Sequence, residues 1–339
     1  MKILDFTMDE LTRKLKKEYG KGLFHASALY REIYKYGNYN FFEAKEFTAS
    51  KTFTEKLKSK IKVTPGQVVE TYKENNLTKF ITRLSDGEKI ESVIIPMKNH
   101  QTLCVSCQVG CRMGCRFCKT AKMGFVRNLR PFEIIGQLLN ARFVLKTDIK
   151  NVVFMGMGEP FDNFNHVVTA IRIMSEQKGC DIALRHITVS TAGLIEGIEK
   201  LTELGLTGLR LAISINSPVN ETRSWLMPVN KTASLQHLKK TLLRFPLTKR
   251  GCFLFEYILI KGLNDSQKDA IKLVNNIKPL CVRLNLIPYN TVNGFNYKSP
   301  CDDDMHRFAD VLTKNGVFVI KRWSKGRSVS AGCGQLGRK

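Results

Sequence analysis

Apolar and polar positions change rhythm twice along the chain. In the first sixty residues they follow a helical period. TMDELTRKLKKEYG (residues 7–20) sets Thr7 three residues before Glu10, a reciprocal capping pattern, and ends on Gly20. SALYREIYKYG and TFTEKLKSK continue in the same way until Thr64, Pro65 and Gly66 interrupt them. From Gln67 to Met97 apolar and polar residues alternate, with turn-forming pairs at Asn75-Asn76 and Asp86-Gly87, which predicts a small antiparallel meander. From about residue 100 the rhythm becomes apolar runs separated by amphipathic stretches. TLCVS, NVVFMGMG (151–158), HITVST (186–191), LRLAISIN (209–216), CFLFEYILI (252–260), VRLNLIPYN (282–290) and VFVIKRW (317–323) read as strands. Helices are expected over 131–147, 164–178, 194–204, 266–277 and 302–315. Such alternation implies a mostly parallel sheet, open or curled into a full or partial barrel, with function gathered at the C-terminal strand ends. Polar and glycine residues do collect there: Gly156, Gly158 and Glu159, then Ser190 and Thr191, Ser214 and Asn216, and Asn290. Loop residues favour strand ends in any such fold, so this pattern alone carries little weight.

The chain has 339 residues, 43% of them apolar, ample for a buried core. No run of about eighteen apolar residues occurs, and the N-terminus lacks the apolar block of a signal peptide, so we expect a cytoplasmic protein that does not engage a membrane. The formal charge is +24, divided as +6 over residues 1–103 and +18 over the remainder. That excess favours a polyanionic partner, and nucleic acid fits better than lipid because no basic amphipathic helix with an aromatic face is evident.

Cysteine usage narrows the chemistry. The first 103 residues contain none, whereas CVSCQVGCRMGCRFC (104–118) contains five. In a reducing compartment such clustering favours a metal or catalytic role over disulfides. A zinc site would use Cys104-x-x-Cys107 and Cys115-x-x-Cys118, but only seven residues separate the two pairs, a cramped path for closing a tetrahedron. Alternatively, Cys111, Cys115 and Cys118 form C-x-x-x-C-x-x-C, which offers three thiolates to an iron-sulfur cubane and leaves one iron open. The isolated cysteines Cys180, Cys252, Cys281 and Cys301 read as small buried hydrophobes. Cys333 differs: Gly332 and Gly334 flank it, and Lys321, Arg322, Lys325 and Arg327 precede it with no acid nearby in sequence. Positive surroundings are expected to lower its thiol pKa and to receive a phosphate backbone.

The cysteine triad after the first strand of a βα array, with GMGEP ending the second, resembles the radical S-adenosylmethionine superfamily. More specifically, TLCVSCQVGCRMGCRFCKTAKMGFVRNLRPFEIIGQL, VVFMGMGEPFDN, HITVSTAGL, RLAISINSP, LNLIPYN and AGCGQL resemble, in order and spacing, the RlmN/Cfr family of RNA adenine methyltransferases over nearly the whole chain. CVSxQVGC, GFxRNLxxxEIIGQ and NLIPxN are closer to its housekeeping branch than to its resistance branch.

The resemblance implies an α/β fold: a partial TIM-like (β/α) barrel over 100–330, preceded by a small helical RNA-binding domain (1–62) and a β meander (63–99), and followed by a C-terminal segment (331–339) that carries Cys333. It further implies that Cys111, Cys115 and Cys118 hold a [4Fe-4S] cluster. Gly158 and Glu159 would meet the amino group of S-adenosylmethionine, while Ser190, the strand end Ser214, Ile215 and Asn216, and Asn290 would hold its ribose and carboxylate. Cys333 would carry the methyl group as S-methylcysteine, Cys104 would form a transient disulfide with it, and Glu91 would accept a proton; from the residues alone Glu91 reads as a solvent-facing strand position. Two S-adenosylmethionine molecules would be used per turnover. The implied substrates are 23S rRNA, methylated at adenine C2, and the adenosine 3′ to the anticodon of tRNA, with a flavodoxin-like electron donor and a monomeric enzyme. The alternatives are C8 methylation of Cfr type and a non-catalytic, zinc-stabilised RNA-binding protein. The chain departs from the family's usual pattern at Cys107 (usually Ser), at SIN (usually SLH), at SAGCGQL (usually AACGQL) and at FHASAL (usually FRAKQL).

Overall fold

The computed structural model describes residues 1–323, 325, 326 and 328–337. Three strands, β1 (Gln67–Glu74), β2 (Leu77–Arg83) and β3 (Lys89–Pro96), form the expected antiparallel meander. The chain then passes through β4 (Gln101–Cys104) and a short hairpin, β5 (Gln108–Gly110) and β6 (Phe125–Asn128). Six further strands follow: β7 (Ile149–Phe154), β8 (Ile187–Thr191), β9 (Arg210–Ser214), β10 (Phe253–Leu259), β11 (Val282–Pro288) and β12 (Phe318–Lys321).

All but β5 and β6 belong to one sheet, and they lie in it in the order of the chain. β4 and β7 to β12 are parallel, and β3 joins β4 antiparallel, so the meander extends the same sheet. Because every crossover steps the same way, right-handed connections put the helices on one face and curl the sheet around the other. β1 and β12 remain its two edges, which makes this a partial barrel. Its covering helices include Pro131–Leu139, Phe164–Ser175, Ile195–Glu203, Gln267–Ile277 and Asp302–Lys314, close to their expected positions. Two more, Asn220–Leu226 and Leu235–Arg244, lie between β9 and β10, where no helix was expected.

At the N-terminus Thr7 and Glu10 close the capping box of helix Met8–Tyr19, and Gly20 ends it in the left-handed conformation. The N-terminal helices share one continuous apolar core with the meander and barrel. A second, smaller apolar cluster, with Phe117, Met227, Ile258 and Ile287, packs inside the barrel mouth against Cys115 and Cys118. No helix among the described residues is long and apolar enough to cross a membrane.

The strand ends that form the mouth are held by Arg223, which is fully buried. Its guanidinium donates to the carbonyls of Ala192, Ser214 and Ile215 at 2.8, 3.0 and 3.1 Å and to Asn230 Oδ1 at 2.6 Å. It thereby ties the end of β9 to the loop after β8 from a helix outside both. Arg223→Met should leave three buried carbonyls without their donor and destabilise the protein by about 2–5 kcal/mol. Thermal or urea unfolding of the two proteins measures this, and an unchanged midpoint would show that those carbonyls find other donors.

Candidate active site

The cysteine loop owes its shape to the hairpin beneath it. Cys111 N–H donates to Gly124 O at 2.9 Å, closing the loop at its base, and Gly110 has φ +75° with no room for a side chain. A Cβ there would stand 1.9 Å from Gly124 O. Arg116 N–H donates to Leu226 O at 2.9 Å and fastens the loop to the helix that carries Arg223. Cys111, Cys115 and Cys118 consequently line one cavity inside the barrel mouth.

The cavity also collects Gly158, Glu159, Ser190, Ser214 and Asn216 from successive strand ends. Gly158 packs so closely on Gln108 that a Cβ would lie 2.6 Å from it. Glu159 is buried, and its carboxylate accepts from Ala192 N–H at 2.8 Å and Phe161 N–H at 3.1 Å. Burial raises this carboxyl from 4.5 to about 7, against the pull of those bonds. A buried carboxylate with no cation paired to it among the described residues fits the ammonium of an amino-acid ligand. Asn216 lines the cavity at φ +53°, but its Oδ1 accepts from Ile258 N–H at 2.8 Å, so that oxygen is committed to β10. Ile215 turns away from the cavity; its N–H donates to Glu256 O and its carbonyl accepts from Arg223.

Cys333, 215 positions beyond Cys118, faces the same cavity. Its segment is fastened on three sides. Lys119 N–H donates to Gly334 O at 2.8 Å, Thr120 Oγ1 to Leu336 O at 2.6 Å, and Asn290 Nδ2 to Cys333 O at 3.1 Å. From the meander, Glu91 Oε2 accepts from Gly337 N–H at 3.1 Å and Lys79 donates to Ser330 O at 3.2 Å. At Gly332, where the family usually has alanine, a Cβ would stand 2.6 Å from Asn290 Nδ2, so the glycine lets Asn290 close on the segment. Cys104, at the end of β4, is buried and close enough to Cys333 for that thiol's charge to oppose its ionisation. Burial pushes Cys104 up to about 12. All ten cysteines are unpaired thiols.

Several expectations are corrected. Glu91 does not face solvent: it is buried, in an ion pair with Lys79 at 3.6 Å, and its Oε1 has no hydrogen-bond partner among the described residues. Cys333 is not held below the usual thiol range. The surrounding protein raises it, and Arg322 only opposes that rise. Nor is its approach free of acids, because the fold brings Glu256 Oε2 to 3.8 Å from Arg322 Nη1, and Glu74 accepts from Gly326 N–H at 2.8 Å. Of the four cysteines expected inside, Cys180 is buried and Cys252 half-buried, while Cys281 and Cys301 are exposed; Cys301 Sγ caps helix Asp302–Lys314 at Asp304. Arg327 lies outside the described residues. Cys107 is buried, with its backbone bonded to Met157 O and Asn163 Nδ2. Glu256 and Arg223 were not anticipated. A lone charge within CFLFEYILI marks the first, whereas nothing in sequence marks the second.

Three thiols on one loop at the mouth of a partial (β/α) barrel, with a glycine-rich second strand end beside them, define a radical S-adenosylmethionine enzyme. Residues 105–274 match the radical SAM superfamily. A radical SAM methyltransferase from Sphaerobacter thermophilus superposes with a TM-score of 0.89 at 32% identity, covering 99% of both chains. The dual-specificity RNA methyltransferase RlmN of Nitratiruptor sp. is 39% identical over 359 aligned residues, covering 99% of this chain and 98% of that protein. That of Desulfosudis oleivorans is 46% identical over 262 residues, 76% of this chain and 70% of the relative. The chain belongs to the RlmN family of radical SAM RNA methyltransferases. Such enzymes use a [4Fe-4S] cluster and S-adenosylmethionine.

Glu159 yields a pH prediction. In the ligand-free protein it holds its proton up to about pH 7. The folded state therefore binds this proton longer than the unfolded chain, so its contribution to stability falls as pH rises from about 4.5 to 7. If Glu159 pairs with the ammonium of S-adenosylmethionine, binding should release up to about one proton near pH 6 and weaken as pH falls from about 8 to 6. Calorimetry in buffers of different ionisation enthalpy checks this. Glu159→Gln should abolish the proton release and weaken binding by about tenfold or more, and proton release unchanged in that variant would remove Glu159 from the contact.

Proposed function

We propose that this enzyme methylates C2 of an adenosine in 23S rRNA and of the adenosine 3′ to the anticodon in tRNA, with Cys333 as the methyl carrier. The observation that carries this reading is the presence of Cys333 in one cavity with Cys111, Cys115 and Cys118. Adenine C2 is electron-poor and offers no lone pair to a sulfonium, so polar methyl transfer to it is closed. A cysteine that first accepts the methyl group by ordinary displacement avoids this difficulty.

Cys111, Cys115 and Cys118 would hold the cluster. Gly158 and Glu159 would meet the amino group of S-adenosylmethionine, and Ser190, Ser214, Asn216 and Asn290 its ribose and carboxylate; Ile215 shapes that strand end through its backbone. When bound, the cluster and S-adenosylmethionine supply one-electron chemistry able to take hydrogen from a methyl group. The carbon on the Cys333 sulfur, once it has lost a hydrogen atom, would bond to adenine C2. The adduct would then shed one electron, returned to the iron–sulfur couple, and the C2 proton, taken by Glu91, whose Oε1 is without a partner among the described residues. Cys104 attacks the Cys333 sulfur: the sulfur–sulfur bond forms as the sulfur–carbon bond breaks, the released carbon takes up the proton that the Cys104 thiol gives up and becomes the methyl group of the base, and external reduction of the disulfide restores both thiols. The proximity of Cys104 to Cys333 supports this pairing.

RNA reaches Cys333 by unstacking its target base, as enzymes that modify bases require. A second cavity supports this route. It adjoins Cys333 and is lined by Lys321, Arg322, Trp323 and Lys325, with Trp323 43% exposed. Around the cysteine loop Arg116 lies over Trp225 and Lys122 over Phe295, at 4.9 and 5.0 Å. Such cation–aromatic pairs suit phosphate and base contact together. We place the enzyme in the cytoplasm as a monomer, supplied with electrons by a flavodoxin-like donor.

RNA from a strain lacking the gene should have lost 2-methyladenosine, as measured by isomer-resolved nucleoside mass spectrometry. Loss of 8-methyladenosine instead would favour C8 chemistry. Cys333→Ala should reduce methylation by about a thousandfold or more with the cluster spectrum intact, and Cys104→Ala should accumulate a covalent protein–RNA adduct on denaturing gels. Methylation surviving in the Cys333 variant would overturn the carrier.

A further inference from the structure

Across the inner face of the barrel, Ser214, Glu256 and Asn285 stand in register on β9, β10 and β11. Glu256 interrupts the apolar run CFLFEYILI in mid-strand, and its residue is only 7% exposed. Asn285 Nδ2 donates to its Oε1 at 2.7 Å. Its Oε2 is buried and without a hydrogen-bond partner among the described residues. Arg322 Nη1 lies 3.8 Å from that oxygen, near enough to balance its charge and too far for a hydrogen bond. Glu256 lines the cavity that holds Cys333, and Arg322 lines the second cavity on the other side of Cys333.

An acceptor in this position is costly unless something donates to it. A buried carboxylate needed only for the fold is ordinarily saturated by protein donors. One oxygen of Glu256 is thus left without a donor, on a residue that lines the same cavity as Cys333. Adenine C2 lies on the Watson–Crick edge, separated from the carbon bearing the N6 amino group by N1 alone. A base that presents C2 to Cys333 therefore presents a hydrogen-bond donor within a few ångströms of it. Guanine has a carbonyl in place of that amino group, and its C2 is already substituted.

We propose that Glu256 is a specificity-determining residue, whose Oε2 accepts a hydrogen bond from the N6 amino group of the target adenosine. Asn285 and Arg322 act as positioning residues that orient the carboxylate and compensate its charge. The proposal rests on the reading of Cys333 as the carrier to an RNA adenine. It adds to that reading the group by which the enzyme recognises the base as adenine.

The test compares an RNA substrate assembled by ligation with adenosine, or with purine riboside, at the target position. Purine riboside keeps C2 and the ring nitrogens and lacks only the amino group. Its ring is the more electron-poor of the two, so the chemistry by itself does not disfavour it. The wild-type enzyme should prefer adenosine by about tenfold or more in kcat/KM, the range of one well-made base contact. In Glu256→Leu the preference should fall to within about threefold, through loss on adenosine, while the Kd for S-adenosylmethionine and the cluster spectrum stay as in the wild type. Glu256→Gln, which keeps the volume and one acceptor, should retain part of the preference.

Equal use of both RNAs by the wild type overturns the proposal without any variant. So does a Glu256→Leu or Glu256→Gln enzyme that keeps the full preference and binds S-adenosylmethionine more weakly, which would assign Glu256 to the cofactor. If the leucine variant fails to fold, the wild-type comparison and the glutamine variant still decide. Failure of the wild type to methylate adenosine RNA at all is a separate outcome, and it would remove the functional reading on which the proposal rests.

Discussion

The site depends on the docking of residues 330–337 over the barrel mouth. Backbone groups of that segment are claimed in turn by Lys79 and Glu91 from the meander, Lys119 and Thr120 from the cysteine loop, and Asn290 from the end of β11. Each bond is modest by itself, and together they leave little freedom in where Cys333 sits. Leu336 is buried beneath the segment, so apolar packing and hydrogen bonding act in the same direction. If the segment lifted away, Cys333 would leave the cavity and Glu91 Oε2 would lose its partner from Gly337. The meander therefore positions the Cys333 segment as well as extending the sheet.

A partial barrel suits such an arrangement. Its singly wound sheet leaves β1 and β12 as separate edges, and the C-terminal segment crosses from β12 back to β1, β2 and β3. The interior of the mouth is consequently reached from two directions that meet at Cys333. One cavity is lined by Cys111, Cys115, Cys118 and Glu159; the other opens among Lys321, Trp323 and Lys325. The positive charge that composition assigns to the barrel part of the chain has a local counterpart in that second opening and in the arginines and lysines beside Trp225 and Phe295.

Most of the strands, most of the helices and the cysteine triad were legible because they rest on local rules: alternation, helical period, capping and ligand spacing; the β5–β6 hairpin was not read. The capping box at Thr7 and Glu10 and the turns that bound the meander are of this kind. The helices Asn220–Leu226 and Leu235–Arg244 were not read, although the Ser234 cap and the spacing of Leu235, Leu238 and Leu242 mark the second as amphipathic. Glu91 looks like any charged residue in an alternating strand, and only the return of Gly337 and the nearness of Lys79 give it a buried setting. Reading Cys281 and Cys301 as buried erred in the other direction, since hydrophobicity states a preference and not a location.

By itself the sequence determined the succession of elements, the class of cofactor that three spaced thiols invite, and the sign of the partner's charge, because each depends on residues close together in the chain or on sums over it. Through resemblance it also nominated Cys104 and Cys333 as a pair. Only the tertiary structure decided that Cys333 and the triad share a cavity, that Arg322 meets Glu256, and that one buried oxygen of Glu256 is without a hydrogen-bond partner among the described residues. Those relations join residues tens to hundreds of positions apart. They arise from the curl of one sheet and the path of one terminal segment, which no local pattern encodes.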